Sequence, residues 1–539
     1  MFKFVRTFVP SVGVAAILVL LSPSKSYAIP PFARKYQTSC QTCHMDFPKL
    51  NDFGKAFKDA GFKFPTDDDT YLKEAPVMLG APANKESFPN SVWPGTMPGM
   101  PPVGLRYNQF FQFTTSNRNQ FNALTAPGTV PGLIPATDFQ AGFFSIFTAG
   151  NFGSDIAFWV DDDLSVAGDN SGGGLGDGYL KFVNIGRVMK LPKDSLSLRA
   201  GQFELDLPVT QARSINLSPY DIYQQANIGA RQQNVGNQST IANVARGFEL
   251  SGGHTYGGYH YSLAIFDQNT TGISQGANQF PGVPSATASA TGGVGFSSDS
   301  SLKNIYARAS YRFNLESDPK KRQDIQAAGA TGPHDHTYLS LGTFYMYGDS
   351  LQRLAGVTAG NVNTFLDNRE PYYRVGGDFS FNYRTFNVYG LYMLGHDSNM
   401  LPVDATGAPI PLPIDPTTAT AGFVRGIPAT FSGGFVQADY LLKPWLMAIM
   451  RWDQVNSTAD RINGLLFATN TPYFAPYNSS RDRWTPGVQF LIHPNIKLSF
   501  EYQIRPRQFV TLASLPNGNS IAASPFRVNT AVVALEFVY

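Results

Sequence analysis

Cysteine is almost missing from this chain, with 2 residues in 539. A fold held by a framework of disulfides is therefore excluded. Charge is also scarce: 15% of residues are charged, and 41 Lys and Arg nearly cancel 39 Asp and Glu to leave +2. No basic field is available to hold a nucleic acid, so none is expected as a partner. Past Leu21 no window is apolar enough for a membrane-crossing helix. No repeat of fixed period appears, which argues against a propeller. What the chain has in quantity is 51 glycines, 38 prolines and 13% aromatics. That mixture suits many β-strands joined by turns and loops.

The two cysteines fall together, in Cys40-Gln41-Thr42-Cys43-His44. This C-x-x-C-H run is the attachment signature of a c-type haem. Each thiol can form a thioether with one porphyrin vinyl, and the adjacent imidazole can bind the iron. Cys40 and Cys43 are the expected attachment points of one haem c, and His44 is its expected axial ligand. A C-x-x-C pair could instead form one bridge or act as a redox dithiol, but both readings leave His44 unexplained. The preceding residues agree with the haem. Lys3 and Arg6, the apolar run 12–21 and the small-residue site Ser26-Tyr27-Ala28 read as a signal peptide over 1–28. Haem of this type is attached outside the bacterial cytoplasm.

Residues 29–62 then read as a small monohaem segment. Pro48 suits the first turn of a helix. Leu50, Phe53 and Phe57 recur at helical spacing, an apolar stripe expected against the porphyrin face, with packing on protein alone as the plainer alternative. Gly61 marks the helix stop. Residues 63–102, rich in Pro, Gly and Asn, are expected to form a linker tucked within the rest of the molecule. Met78, Met97 and Met100 there are candidates for the sixth iron ligand. So are His254, His260, His334, His336, His396 and His493, wherever their strands face inward.

From residue 103 to 539 the chain alternates apolar and polar in segments of about ten residues, the mark of a transmembrane strand. In 496–507, Leu498, Phe500, Tyr502 and Ile504 oppose Lys497, Ser499, Glu501, Gln503 and Arg505. Ala307, Ala309, Tyr311 and Phe313 oppose Arg308, Ser310 and Arg312 in the same way. Sixteen such segments begin near 103, 138, 153, 178, 195, 243, 257, 303, 336, 371, 385, 430, 444, 482, 496 and 528. Short links alternate with long ones: 117–137, 163–177, 207–242, 268–302, 351–370, 398–429, 459–481 and 508–527. Turns on one side and loops on the other are what an outer-membrane barrel gives. The long link 315–335 falls on the short-turn side. Asp161, Asp162, Asp163, Asp169 and Asp177 are expected around a long loop, where such residues make solvated turns or gather hard cations. The predicted fold is all-β, a 16-stranded antiparallel outer-membrane barrel with a small helical haem plug at its N-terminus.

The opening carries a resemblance. Pro31-Phe32-Ala33-Arg34, the run from Cys40 to His44, Phe47-Pro48, Leu50, Phe53-Gly54, Phe57 and Gly61 together resemble the fused monohaem cytochrome–porins of iron-oxidising bacteria. Phe62 stands where that pattern usually has Tyr. The resemblance implies a haem segment plugging a sixteen-stranded barrel in the outer membrane of a Gram-negative bacterium. It implies electron transfer of the iron:cytochrome c type, with extracellular Fe(II) as donor and a periplasmic cytochrome or cupredoxin as acceptor. In the lumen, the haem is expected within reach of an outer opening. The alternatives are a porin-like diffusion channel with an accessory haem, and a conduit for a donor other than iron.

Overall fold

The structure, a computed structural model, describes residues 31–36, 38, 42–46, 49–64, 77–78, 96–97, 103–116, 135–152, 155–165, 174–209, 215–224, 241, 244–267, 303–316, 337–359, 362–402, 426–457, 480–493, 495–504 and 529–538. The signal-peptide region, Cys40, Met100, Asp169, His334 and His336 lie outside these residues.

The N-terminal part holds α1 (Pro31–Tyr36), β1 (His44–Asp46), β2 (Lys49–Leu50), α2 (Asp52–Asp59), β3 (Val77–Met78) and β4 (Thr96–Met97). The barrel follows: β5 (Val103–Thr114), β6 (Thr137–Phe152), β7 (Ile156–Ser165), β8 (Gly174–Phe182), β9 (Ser197–Glu204), β10 (Val244–Gly253), β11 (Gly258–Asp267) and β12 (Asn304–Asn314). It continues with β13 (Tyr338–Ala359), β14 (Val362–Tyr383), β15 (Phe386–Pro402), β16 (Gly426–Lys443), β17 (Leu446–Ser457), β18 (Ser480–His493), β19 (Ile496–Gln503) and β20 (Thr530–Val538). Each strand pairs antiparallel with the next, and β20 pairs with β5 to close the ring of sixteen. Closure leaves no strand edge, the condition for a sheet to stand in lipid.

The two faces of the strands are inverted relative to a soluble protein. On β19, Lys497, Ser499 and Glu501 are buried, while Phe500 is 41% exposed. On β12, Arg308 and Arg312 are buried, and Ile305, Tyr311 and Phe313 point outward. Charge inside and aromatic or branched side chains outside is the arrangement of a transmembrane barrel. The same pattern closes the ring, where Arg106 of β5 and Lys497 of β19 both pair with Glu536 of β20, at 2.7 and 2.9 Å.

All sixteen expected strands are present, with four corrections to the links. The stretch 351–370 is not a loop: β13 and β14 stay paired from Leu351↔Arg369 to Ala359↔Val362. At 22 residues each, these strands are roughly twice the 9–11 that span a bilayer, so the hairpin continues beyond it. Likewise β15 and β16 extend into the expected loop 398–429, pairing Pro402 with Gly426. Asp161 to Asp163 lie within β7, not in a loop. The fourth correction concerns 207–242, of which 207–209 and 215–224 lie inside the barrel.

Candidate functional site

Two pieces of chain occupy the lumen. The first is the N-terminal segment, and Asn51 organises it. Asn51 caps α2, its Oδ1 accepting the Gly54 N–H at 2.8 Å. Its own N–H donates to the Cys43 carbonyl at 2.9 Å, and its Nδ2 donates to the Thr42 carbonyl at 3.0 Å. β1 pairs with β2, setting His44 opposite Leu50. A Cβ at position 54 would lie 2.1 Å from the Cys43 carbonyl oxygen, so only glycine admits this approach of helix to motif. The Cys43–His44 backbone is thereby held against the first turn of α2, and both side chains remain half-buried. Gly61, at φ +81°, ends the helix as expected.

The apolar stripe divides. Phe57 is enclosed by Phe32, Tyr36, Phe62 and Phe64, with ring centroids 5.0 to 6.3 Å away. It packs on protein, contrary to the expectation of a porphyrin-facing residue, because α1 folds back over it. Phe53 is half-buried and meets Phe64 at 5.1 Å. Phe62 continues the cluster onto Trp159 of β7, at 5.5 Å.

The segment is tied to the wall at the end where the short turns lie. Lys49 Nζ donates to Asp439 at 2.7 Å and to Asn387 at 2.8 Å. Arg312 donates both arms of its guanidinium to Asp52, each at 2.6 Å. Asp59 accepts from the backbone and hydroxyl of Thr255 at 3.0 and 2.7 Å. Lys181 Nζ donates to the Asp59 carbonyl at 3.2 Å. The Asp52–Arg312 pair is the most committed of these contacts. Asp52→Ala is expected to weaken docking by about 3–5 kcal/mol, because Arg312 stays buried without its carboxylate. The check is the rate at which added protease clips the segment, which should rise in Asp52→Ala and recover in part when Arg312→Gln is added.

The second piece is the chain after β9. Sequence reasoning placed it outside. The structure instead places 205–209 inside the ring against β11 and β12, and 215–224 against the opposite wall. At its root, Asp206 lies 2.8 Å from His260 Nε2, and the Tyr306 hydroxyl donates to the Asp206 carbonyl at 2.6 Å. Burial alone would raise the Asp206 carboxyl, but His260 and Arg308 beside it hold it well below the usual carboxylate range. At its tip, Leu217 N donates to Glu501 at 2.9 Å and the Ser218 hydroxyl also bonds Glu501. Arg451 donates to the Ser218 carbonyl at 2.9 Å, and Arg483 pairs with Asp221 at 3.3 Å. Asp453 receives Arg451 at 2.9 Å and Arg483 at 3.1 Å. Tyr220 stacks on Phe435 at 3.9 Å. Burial pushes the Tyr220 and Tyr223 phenols up, so both remain proton donors.

Two neighbouring wall residues link the two pieces. Asp439 takes Lys49 from the segment and Gln437 Nε2 at 2.8 Å. Gln437 Oε1 in turn takes Asn216 of the crossing chain at 2.8 Å. One polar chain thus runs from the motif-bearing segment to the crossing tip.

The remaining candidates separate by position. Met78 and Met97 lie on the small β3–β4 ladder. His260 faces inward at the root of the crossing chain. His396 faces outward, stacked on Tyr373 at 5.4 Å, because Gly395 and Asp397 beside it take the inner positions. It is therefore not an axial ligand. His254 sits in the short turn against Tyr256, and His493 ends β18. Asp161 accepts from Trp159 Nε1 at 3.2 Å and from the Asp177 N–H. Among the described residues no three His, Cys, Asp or Glu side chains converge to hold a metal ion.

A closed antiparallel ring of sixteen strands, apolar outside and charged within, defines a porin-like outer-membrane barrel. No family model matches the chain, and no curated protein matches it either. Among solved structures it is similar to the outer-membrane channel DcaP of Acinetobacter baumannii, with 11% identity, TM-score 0.40, and 81% of this chain and 96% of that one covered. It is also similar to OprB of Pseudomonas putida, with 9% identity, TM-score 0.44, and 81% and 94% covered. A third is the anion-selective porin from Comamonas acidovorans, with 11% identity, TM-score 0.40, and 81% and 98% covered. The fold assignment rests on the strand pairing, not on these distant likenesses.

Proposed function

We propose that this protein is an outer-membrane cytochrome, a barrel whose lumen carries one covalent haem c and passes electrons from extracellular Fe(II) to a periplasmic cytochrome or cupredoxin. The observation that supports it most is the pinned Cys43–His44 backbone in a segment ion-paired inside the barrel. The donor set fits the group: Cys43 with Cys40 would hold it by thioethers and His44 would give the axial imidazole. When bound, such a haem supplies a one-electron couple with a potential set by its ligands and its burial. The chain's own residues do the rest. Lys49, Asp52 and Asp59 fix the motif at the short-turn, periplasmic end. The clamp of Arg451, Arg483 and Glu501 keeps the crossing chain between the motif and the long-loop side. This differs from the expectation of a haem near an outer opening, because every described tie of the segment is to the short-turn half of the wall. The donor side is thus separated from the motif by the crossing chain.

The test is made on protein from a host that matures c-type cytochromes. Covalent haem staining on a denaturing gel is expected, with loss in Cys43→Ser, and Fe(II) is expected to reduce the oxidised protein in stopped flow. Absence of stain would end the cytochrome reading. Stain without reduction by Fe(II) would move the donor elsewhere.

The barrel itself favours a second reading, a porin-like diffusion channel with an accessory haem. It predicts large conductance in planar bilayers that is the same in His44→Ala protein.

A further inference from the structure

The turn between β8 and β9 is unlike the other described short turns. Fourteen residues separate Phe182 from Ser197, whereas Arg384 and Thr385 suffice between β14 and β15. The extra chain is well built. Ile185–Met189 forms a turn of 3-10 helix between left-handed residues Asn184 and Lys190. Leu191 N donates to the Gly186 carbonyl at 2.9 Å, and Gly253 N of the neighbouring hairpin donates to the Asp194 carbonyl at 2.9 Å. Asp194 N donates to Asn184 Oδ1 at 3.1 Å.

This ordered knuckle offers apolar side chains to its surroundings. Val188 is 88% exposed and Met189 59%, with Leu191 beside them. Nothing in the turn's own packing requires them there. Around them Arg187, Lys190 and Lys193 are exposed, and no carboxylate occurs from 187 to 193. Asp155 in the adjacent turn pairs with Arg187 at 3.2 Å and offsets one of the three charges. At the foot of the knuckle, Val183 belongs to the same buried cluster as Phe57 and Phe62. The surface is therefore continuous with the seat of the motif-bearing segment.

We propose that this knuckle is the docking surface for a soluble electron carrier with an acidic face. A small apolar centre in a cationic rim complements such a partner, and its size suits a weak, rapid encounter. The inference rests on the electron-transfer reading and names where the acceptor binds.

The test uses detergent-solubilised holoprotein and two soluble c-type cytochromes of similar size, one acidic and one basic. Electron exchange with the acidic carrier should be fast at low salt and slow as salt rises. Lys190→Glu with Lys193→Glu should lower its second-order rate constant by about tenfold or more at low salt. Val188→Ser with Met189→Ser should weaken binding while leaving the salt dependence intact. Reduction by dithionite should be unchanged in all variants. Binding of the acidic carrier is also measured on Cys40→Ala/Cys43→Ala protein. Binding that persists there supports the surface even if the haem reading fails. Rate constants and binding unaffected by the charge reversals would overturn it. So would a charge reversal that lowers only affinity for anionic lipid vesicles, which would assign the knuckle to the membrane surface.

Discussion

Arg451→Leu should free the crossing chain from the far wall. Arg451 and Asp453 are both 0% exposed. The guanidinium holds Asp453, the Ser218 carbonyl and the Ser218 hydroxyl at once. Leucine fills much of the space but leaves Asp453 with only Arg483 and the Asp221 N–H, and it removes two hydrogen bonds from the tip. Breaking one partner from a buried ion pair costs about 3–5 kcal/mol. The barrel should survive the loss, because its backbone ladder is closed independently of the lumen. The effect is therefore local. Hydrogen exchange at the Leu217 and Ser218 amides should quicken by about a hundredfold or more. Arg451→Lys keeps the charge but not the forked geometry and should fall between. Exchange at the wild-type rate in Arg451→Leu would show that the clamp does not hold the chain.

On the cytochrome reading proposed above, Gly54→Val is expected to remove covalent haem almost as completely as Cys43→Ser, without changing the cysteines. The obstacle to a side chain there is main chain: the Cys43 carbonyl oxygen at 2.1 Å and its carbon at 2.9 Å. No rotamer can relieve that contact. Either α2 moves away or the hairpin of β1 and β2 does, and both break the Asn51 bonds to Thr42 and Cys43. Overpacking typically costs about 1–3 kcal/mol, more where the neighbour cannot yield. The segment has only a small aromatic cluster to absorb that loss. The measurement is haem per folded barrel, with Gly54→Ala as the milder case. Wild-type haem content in both variants would refute the packing described here.

The wall of this molecule was legible because lipid imposes a rule on every strand. Lys497, Ser499 and Glu501 alternate with Leu498 and Phe500, and that order alone says which set meets lipid. Short turns such as Arg384-Thr385 then place strand ends within a few residues. The lumen was not legible in the same way. Many of its contacts join residues more than two hundred positions apart, as Ser218 joins Arg451, and no local period encodes them. A signal was present nonetheless. Leu205, Leu207, Ile215, Tyr220, Ile222 and Tyr223 make an apolar series unsuited to an external loop, and all six are buried. The stretch 351–370 misled for the opposite reason, since its strands run past the membrane and lose the two-sided pattern. At the motif, C-x-x-C-H pointed to the chemistry, whereas the close approach at Gly54 and the link through Asn51 emerged only in three dimensions. Phe57 went to α1 because periodicity identifies a face but not what covers it.

The seam between β20 and β5 has a consequence for biogenesis. It joins the final strand to one whose own N-terminal extension already lies inside the ring. Once Thr530↔Thr114 through Val538↔Arg106 have paired, the segment reaches its seat only through an end of the ring. A cylinder that zips shut around an already folded segment avoids that passage, whereas one that closes first must admit the segment at the short-turn end, where its ties lie.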